Sequence, residues 1–343
     1  MAAVSMAAST PVAVVGCGTV GGRAARQLLS VDGVSHVLLF DEDPEVAARV
    51  AASLGPRAHT GAGDVREHLG SLGAVLLSTP PDQAQLATTV VNARVPLVTT
   101  SDSVDDVRSL LDLHVAAVSK GVPLIVGAGF APGLTDVMAA HAGAWFETVR
   151  EVHTAKFGTA GPACARQHHG ALSSESNDFR DGEWLHRPGG SGRELVWFPD
   201  PIRGADCYRA GVPDAMLLHR LFPDAERLSG RMAATRRDRL TSRLPMLRKP
   251  HAEAGPGAVR VEVRGRLEGE ESTVVLACMD RPSVAAGAVA ALSIGAVLTG
   301  ALRRPGLTSG CFTLGQYVDS VTFLRALSAR GVRCARFAGT TEW

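Results

Sequence analysis

Lysine is scarce in this sequence of 343 residues. Lysine and arginine together number 35, yet only three of these are lysines: Lys120, Lys156 and Lys249. The formal net charge is +1, which gives no reason to expect a nucleic acid or an anionic membrane as a partner. Because primary amines are so rare, each lysine is a candidate for a specific chemical role.

The sequence also lacks paired cysteines. Its six cysteines form no Cys-x-x-Cys pair, and their spacing matches no zinc motif. We therefore predict reduced, buried thiols and no metal site. The first ten residues lack the basic stretch and the apolar core of a secretory signal, so the predicted location is the cytoplasm.

One apolar run, residues 285–302, approaches the length of a membrane span. It is rich in alanine and glycine and contains Ser293 and Thr299, which favours a helix buried in the core of a globular protein. Internal repeats and low-complexity linkers are absent. The length suits two compact units, at about 100–200 residues per domain.

The most informative stretch is a glycine-rich loop between an apolar run and a helix-like segment. Residues 11–15 are apolar, and Gly16, Gly18 and Gly21 then form a Gly-x-Gly-x-x-Gly motif. The first glycine permits a sharp turn, the second lets a pyrophosphate approach the backbone, and the third lets the helix pack on the strand. The helix N-terminus offers N–H groups to phosphates. This context predicts a dinucleotide site.

An acidic residue ends the next apolar strand. Asp41 follows residues 36–40, where a carboxylate can accept hydrogen bonds from the adenosine ribose. Glu42 and Asp43 come next instead of an arginine, and three carboxylates would repel the 2′-phosphate of NADP. We predict NAD as the cofactor. NADP is the alternative, if an arginine from elsewhere folds over the site.

The first part of the chain alternates apolar strands with amphipathic helices. This pattern predicts an α/β fold with a parallel, doubly wound sheet, a Rossmann domain over residues 1–132. Ligands bind such sheets at the carboxyl ends of the strands. The predicted cofactor-binding residues are Gly16, Cys17, Gly18, Thr19, Val20, Gly21, Asp41, Glu42, Asp64, Thr79, Pro80 and Thr100.

The regular alternation of strands and helices ends at residues 127–136, a glycine- and proline-rich segment that we call the crossing between the two domains. Residues 148–157 alternate as a strand does, and residues 259–267 and 273–279 flank a turn. These features predict a second, α+β domain that contains an antiparallel sheet.

We predict that this substrate and dimerisation domain covers residues 133–282 and includes a long polar loop over 158–192. Residues 283–343 are predicted to form helices that return to the Rossmann domain, among them a final helix over 314–330. Eight basic residues lie within 227–249, where a solvated helical face is favoured over a phosphate-binding patch.

Several of these pieces together resemble the saccharopine dehydrogenase-like oxidoreductases, a group that includes lysine 6-dehydrogenase and carboxynorspermidine synthase. They are the glycine motif at residues 14–21, the Asp41 strand end, the Leu-Ser-Thr-Pro-Pro segment at 77–81 and, most distinctively, the crossing at 127–136. The resemblance covers about one domain at the N-terminus, is loose near the C-terminus, and fades between Phe157 and Val259.

The resemblance implies a Rossmann domain with an inserted substrate domain, often in a homodimer. It also implies hydride transfer at a carbon–nitrogen bond of an amino acid, an amine or a derived imine. Two alternatives stay open: reduction of a carbon–carbon double bond in a lipid-like or polyketide-like substrate, and a dinucleotide-binding sensor without turnover.

Such chemistry needs a group that exchanges a proton with the substrate nitrogen. Lys156 is the first candidate, because burial can lower the pKa of an amine toward neutrality. Asp102 follows the fifth strand near the expected nicotinamide. His153, His168 and His169 are of a type suited to proton transfer. The predicted catalytic residues are Lys156, Asp102 and His153.

Substrate binding is predicted from side chains near the crossing and in the second domain. Arginines can clamp a substrate carboxylate with two parallel hydrogen bonds. The predicted substrate-binding residues are Phe130, Arg166, His169 and Arg203.

Overall fold

The computed structural model describes residues 9–246, 250–251 and 254–337. The first half contains six strands and six α-helices. These are β1 (Thr10–Val15), α1 (Thr19–Leu28), β2 (Val34–Phe40), α2 (Pro44–Leu54), β3 (Ala58–Thr60), a 3₁₀ helix (Val65–Ser71), β4 (Ala74–Leu77), α3 (Ala84–Asn92), β5 (Leu97–Thr99), α4 (Val104–Leu111), α5 (His114–Lys120), β6 (Pro123–Val126) and α6 (Leu134–Gly143).

The second half adds a longer set of strands. Its elements are β7 (Thr148–Phe157), α7 (Pro162–Ala171), β8 (Glu175–Arg180), β9 (Glu183–Pro188), β10 (Glu194–Trp197), β11 (Gly204–Tyr208), α8 (Asp214–Leu221), β12 (Arg227–Ala233), α9 (Arg236–Thr241), β13 (Gly257–Leu267), β14 (Glu270–Asp280), α10 (Pro282–Thr299), β15 (Gly310–Thr313), α11 (Leu314–Tyr317), α12 (Ser320–Ala329) and β16 (Cys334–Arg336).

The first sheet is parallel throughout, with strand order β15-β6-β5-β4-β1-β2-β3. Its central strands are apolar along their whole length because helices cover both faces, and every residue of β4 and β6 is buried. The order reverses beside β1, so the carboxyl ends of β1 and β4 flank the crevice where such sheets bind ligands. The predicted Rossmann sheet is confirmed.

The second sheet is mixed, with the path β10-β11-β12-β7-β13-β14-β16. The predicted strand at residues 148–157 is β7, and the predicted hairpin is β13 and β14, joined through Glu268 and Gly269 with positive φ angles of 52° and 82°. β7 and β12 pair in parallel, whereas the other pairs in this sheet are antiparallel. The predicted α+β part with a second sheet is therefore confirmed. This sheet is mixed, because the pair β7 and β12 is parallel.

Two local predictions about polar and basic segments were wrong. Residues 158–192 are not a loop, because Pro162 begins helix α7 and a β8–β9 hairpin follows. The basic stretch 227–249 is not a helical face: it begins with strand β12, whose middle residues are buried on both faces, and continues with the short helix α9. Arg248 and Lys249 lie outside the described residues.

The C-terminal segment crosses back to the first sheet. Helix α10 is the apolar run noted above; it is buried and packs against α1, so the prediction of a core helix is confirmed. A side chain at Gly287 would collide with Arg23, which shows how closely the two helices approach. The predicted final helix is instead two helices, α11 and α12, preceded by strand β15, which pairs with β6.

Helix α6, which follows the crossing, carries a buried acid. Asp136 is 1% exposed, and neither carboxylate oxygen has a hydrogen-bond partner among the described residues. Asp214 lies close by and accepts a hydrogen bond from Thr154 at 3.0 Å. Burial, reinforced by the charge of Asp214, raises the pKa of Asp136 well above its usual value.

We expect Asp136→Asn to stabilise the protein at alkaline pH. A raised pKa in the folded state means that Asp136 contributes stability at acid pH, which is lost as the pH rises through the folded-state pKa. The neutral amide avoids that loss, so the melting temperature should rise by about 2 °C at pH 8.5 and by less at pH 5. Thermal unfolding at both pH values tests this, and an equal difference at the two would contradict it.

Candidate functional site

A cleft of about 650 Å³ lies where the carboxyl ends of the first sheet face the second sheet. The glycine loop forms one part of its wall, and the segments after β4 and β5 form another. The crossing before α6, the end of β7 and one face of α7 complete it. The cleft therefore joins the predicted dinucleotide site to side chains of the second sheet.

The glycine loop has the geometry that a pyrophosphate needs. Gly16 has φ +90°, and a Cβ there would lie 2.5 Å from the carbonyl oxygen of Ser78. A Cβ at Gly21 would lie 1.8 Å from the carbonyl oxygen of Gly16, so α1 packs as closely on the loop as the motif requires. A Cβ at Gly18 would meet nothing within 4 Å, because this residue borders the open cleft.

The first turn of α1 is free to bind an anion. No side chain caps this helix end, and its first turn holds no acidic residue. Its N–H groups and the positive end of the helix dipole are therefore available to phosphates. Of the predicted loop residues, Gly16, Gly18, Thr19 and Val20 line the cleft, whereas Cys17 and Gly21 pack behind it.

Asp41 is held rigidly at the cleft edge. Its carboxylate accepts hydrogen bonds from the backbone N–H of Cys17 at 2.6 Å and of Asp43 at 3.1 Å. This places an oriented acceptor where the adenosine ribose is expected. Burial raises the pKa of the Cys17 thiol to about 12, so this thiol is a packed, unreactive group.

The remaining cofactor predictions divide into two groups. Glu42, Thr79, Pro80 and Thr100 line the cleft, as expected of ends of parallel strands. Asp64 does not line it: the side chain caps the 3₁₀ helix by accepting from the backbone N–H of Arg66, and it also binds the Arg66 guanidinium at 2.6 Å.

Arg66 itself lines the cleft beside Asp41 and Glu42. The NADP alternative requires an arginine from elsewhere in the chain, and among the described residues Arg66 is the arginine that lines the cleft. Its ion pair with Asp64 is roughly half exposed, so the guanidinium can turn toward a bound nucleotide at little cost. A 2′-phosphate would thus meet one arginine as well as the carboxylates.

A compact cluster of titratable groups also lines the cleft. The His168 Nε2 lies 2.8 Å from the Asp102 Oδ2 and 3.5 Å from the Cys164 Sγ. The Lys156 Nζ lies 3.8 Å from the same Asp102 oxygen and donates a hydrogen bond to the Ala131 carbonyl at 3.3 Å. Lys156 is 3% exposed, so its amine lies in a desolvated site beside a carboxylate.

Each member of the cluster reaches the cleft from a different element. Lys156 is the penultimate residue of β7, and Asp102 follows β5. Cys164 and His168 are four residues apart on α7, which places them on one face of that helix. The crossing before α6 supplies the carbonyl of Ala131 that holds the lysine.

The members of the cluster shift the pKa values of Asp102 and His168 in opposite directions. Burial opposes ionisation of Asp102, but the hydrogen bond from His168 and the charge of Lys156 outweigh it and lower the pKa of this acid. Burial likewise opposes the charged form of His168. The Cys164 thiol and Asp102 overcome both this and the repulsion from Lys156, raising the pKa of His168 to about 9.

Strand parity explains why His153 is not part of the cluster. His153 is three residues before Lys156 on β7, and side chains an odd number of residues apart face opposite sides of a sheet. His153 contacts Ser229 at 2.8 Å and Glu151 at 2.9 Å, and burial lowers its pKa. His153, one of the three predicted catalytic residues, therefore lies on the face of β7 opposite to Lys156 and does not line the cleft.

Three predicted substrate residues also lie outside the cleft. His169 is buried against the carbonyl groups of Thr241 and Leu244, because it points about 100° away from His168 around α7. Arg166 is exposed on the outer face of the same helix. Arg203 is exposed and pairs with Asp200 at 2.9 Å. Phe130, by contrast, lines the cleft.

Two members of the cluster, Cys164 and His168, are not among the residues predicted to be catalytic. The sequence offers His168 as a candidate for proton transfer, but it predicts a loop around this residue, so nothing in the sequence places it near Asp102. The four-residue spacing of Cys164 and His168 after Gly161-Pro162 was the available signal, since proline favours the first position of a helix.

Solved structures of three dehydrogenases share this arrangement of sheets. Saccharopine dehydrogenase (L-Glu forming) from Saccharomyces cerevisiae aligns with a TM-score of 0.70 and 14% identity, over 96% of this chain and 100% of its own. C. glutamicum DAP dehydrogenase in complex with DAP aligns with a TM-score of 0.50 and 17% identity, over 94% and 99%. An engineered D-amino acid dehydrogenase bound to NADP+ aligns with a TM-score of 0.50 and 16% identity, over 94% and 99%.

The chain therefore shares the fold of these three dehydrogenases. More particularly, this is the saccharopine dehydrogenase-like fold, as the motifs of the first domain predicted. No protein-family model and no curated protein matches the chain.

Proposed function

We propose that this protein is an NAD(P)-dependent oxidoreductase that transfers hydride at the carbon–nitrogen bond of an amino acid, an amine or a derived imine. The observation that carries the proposal is the buried cluster of Lys156, Asp102 and His168 in the same cleft as the glycine loop. Hydride transfer at a C–N bond requires a proton to move at the nitrogen, and this cluster is built for proton exchange.

The residues of the first sheet fit a dinucleotide. Gly18 and the uncapped end of α1 would hold the pyrophosphate, and Asp41 would hold the adenosine ribose. A nicotinamide, when bound, supplies or accepts the hydride. NAD is favoured because Asp41 and Glu42 repel a 2′-phosphate, and Arg66 is the feature that would admit NADP.

The residues of the cluster divide the proton chemistry between them. Lys156 faces the cleft and is proposed to take a proton from the substrate nitrogen during oxidation. Asp102 hydrogen-bonds His168 and attracts Lys156, so its carboxylate couples the two bases. The side chains of Lys156 and His168 are both buried, and in a poorly solvated region the gain or loss of a proton has a large electrostatic effect.

The substrate end of the cleft is otherwise weakly charged. Among the residues described, the basic side chains that line it are Arg66, Lys156 and His168, and Arg66 lies at the nucleotide end. The arginine clamp expected from the sequence is therefore not part of this proposal. Phe130 and Gln167 line the wall and would contact the carbon skeleton and a polar group of the substrate.

Oxidation of an amine should become faster with rising pH. The network of Lys156, Asp102 and His168 must lose one proton before it accepts one from the substrate, and the pKa of His168 is about 9. We expect kcat/KM for oxidation to rise with pH and to level off above about pH 9. In His168→Gln this inflection should disappear, because the titrating group is gone.

The assay begins by titrating the protein with NADH and NADPH, following cofactor fluorescence, and continues with a panel of amino acids, amines and imines across pH. Failure of both nucleotides to bind at submillimolar concentration would reject the dinucleotide site. Binding without any hydride transfer would favour the sensor alternative, and reduction of an enoyl substrate in place of the panel would favour the C=C alternative.

We extend the proposal to a cytoplasmic homodimer. The six cysteines form no Cys-x-x-Cys pair, which fits a reducing compartment. Leu195 and Trp197 are exposed on the edge strand β10, with 58% and 56% of their surface accessible, and an apolar edge of this kind suits pairing with a second copy. Sedimentation analysis of the purified protein tests the assembly.

A further inference from the structure

The last described strand places two cysteines opposite each other. In the antiparallel pairing of β14 with β16, Cys278 is the direct partner of Cys334. The backbone N–H of Phe337 donates to the Val275 carbonyl at 2.8 Å, so these two residues form a hydrogen-bonded pair. Because the two kinds of pair alternate, Cys278 and Cys334 form a non-hydrogen-bonded pair, in which side chains are closest.

This geometry meets the requirements of a disulfide. Directly opposed residues have Cα atoms roughly 4.5–5.5 Å apart, which lies within the range of about 4.4–6.8 Å that a disulfide spans. The hydrogen bond with the Cys334 thiol and burial raise the pKa of Cys278, so Cys278 is the less nucleophilic of the two thiols. Among the described strands, no other pair of cysteines is matched in register.

We propose that Cys278 and Cys334 are a redox site that forms a cross-strand disulfide. Cys334 is half-buried and accessible to a small oxidant, whereas Cys278 is 1% exposed. Cys334 is therefore the attacking thiol and Cys278 the resolving one. This inference does not depend on the proposed enzymatic function.

The reaction balances with a small-molecule disulfide such as oxidised glutathione. The Cys334 thiolate attacks one sulfur and releases the first glutathione thiolate, leaving a mixed disulfide. The Cys278 sulfur attacks the Cys334 sulfur and releases the second glutathione, which takes up the Cys278 proton as it leaves. Two protein thiols are oxidised by two electrons, and one oxidised glutathione becomes two reduced molecules.

The disulfide would link the two ends of the segment between Cys278 and Cys334, which leaves the second sheet, contributes to the first and returns. Between Cys278 and Cys334 the chain runs through α10, β15, α11 and α12, where it packs on α1 and adds a strand to the first sheet. It then returns to the second sheet at β16. In the unfolded chain the disulfide would close a loop of more than 50 residues. The closed loop lowers the conformational entropy of the unfolded state and so stabilises the folded protein.

The test equilibrates the full-length protein in glutathione buffers of increasing oxidised fraction, blocks free thiols with iodoacetamide and maps the cysteines by peptide mass spectrometry. We expect a linked peptide containing Cys278 and Cys334 before any other cysteine is modified. The oxidised protein should melt about 5 °C higher than the reduced protein.

Two serine variants complete the experiment. Cys334→Ser should abolish the linked peptide and the rise in melting temperature, while Cys164→Ser, which replaces another half-buried cysteine, should leave both intact. A stable mixed disulfide at Cys334, or oxidation of other cysteines first, would overturn the proposal. So would reduced thiols at both positions in fully oxidised glutathione. The mapping of the wild-type protein needs no variant to fold.

Discussion

Replacing Lys156 by methionine is expected to lower kcat for amine oxidation by about 1,000-fold, within the range of roughly 100- to 10,000-fold that positioned acid–base groups contribute. Methionine fills a similar volume, so the buried position stays packed. The substitution removes the amine that faces the cleft and leaves Asp102 bound to His168. The measurement is steady-state kinetics with the amine that gives turnover in the panel.

A matched control distinguishes this chemical role from a general loss of positive charge. Lys120→Met removes a lysine at the end of α5, away from the cleft, and should leave kcat unchanged. Nucleotide affinity should be unchanged in both variants, because neither substitution alters the glycine loop or Asp41. Wild-type turnover in Lys156→Met would remove this residue from the mechanism.

Much of the first sheet could be predicted because its signals are local. The glycine motif depends on three residues that act within one turn, and Asp41 follows its strand directly. Strands such as β4 are apolar along their length, which is typical of a sheet covered on both faces. The strand β15 was missed, because four residues that pair with β6 carry no pattern of their own.

The contacts between Lys156, Asp102 and His168 could not be predicted from the sequence. Lys156 and Asp102 were both proposed, but nothing local showed that their side chains lie 3.8 Å apart. Their meeting depends on β7 and β5 belonging to different sheets that face each other across the cleft. His168 joins them only because α7 is a helix, and its polar composition conceals that helix.

The largest effect on nucleotide binding is expected from Gly18→Ala. A Cβ at this residue meets no protein atom within 4 Å, and the backbone angles of φ −65° and ψ −162° are accessible to alanine. The fold should therefore be unaffected, with an unchanged melting temperature. The added methyl group would occupy the space through which the pyrophosphate approaches the backbone. We expect the Kd for NADH to rise by about 100-fold, a loss of about 2.7 kcal/mol.

Gly22→Ala is the matched control for Gly18→Ala. It adds the same methyl group four residues further on, inside α1, where the nearest atom would lie at an ordinary contact distance of 3.5 Å from the Cys17 carbonyl oxygen. Alanine also favours a helix interior over glycine, so stability should rise slightly while NADH affinity stays the same. Fluorescence titration and thermal unfolding of both variants separate binding from folding. Equal NADH affinity in Gly18→Ala and the wild-type protein would show that the nucleotide does not approach the chain through this glycine.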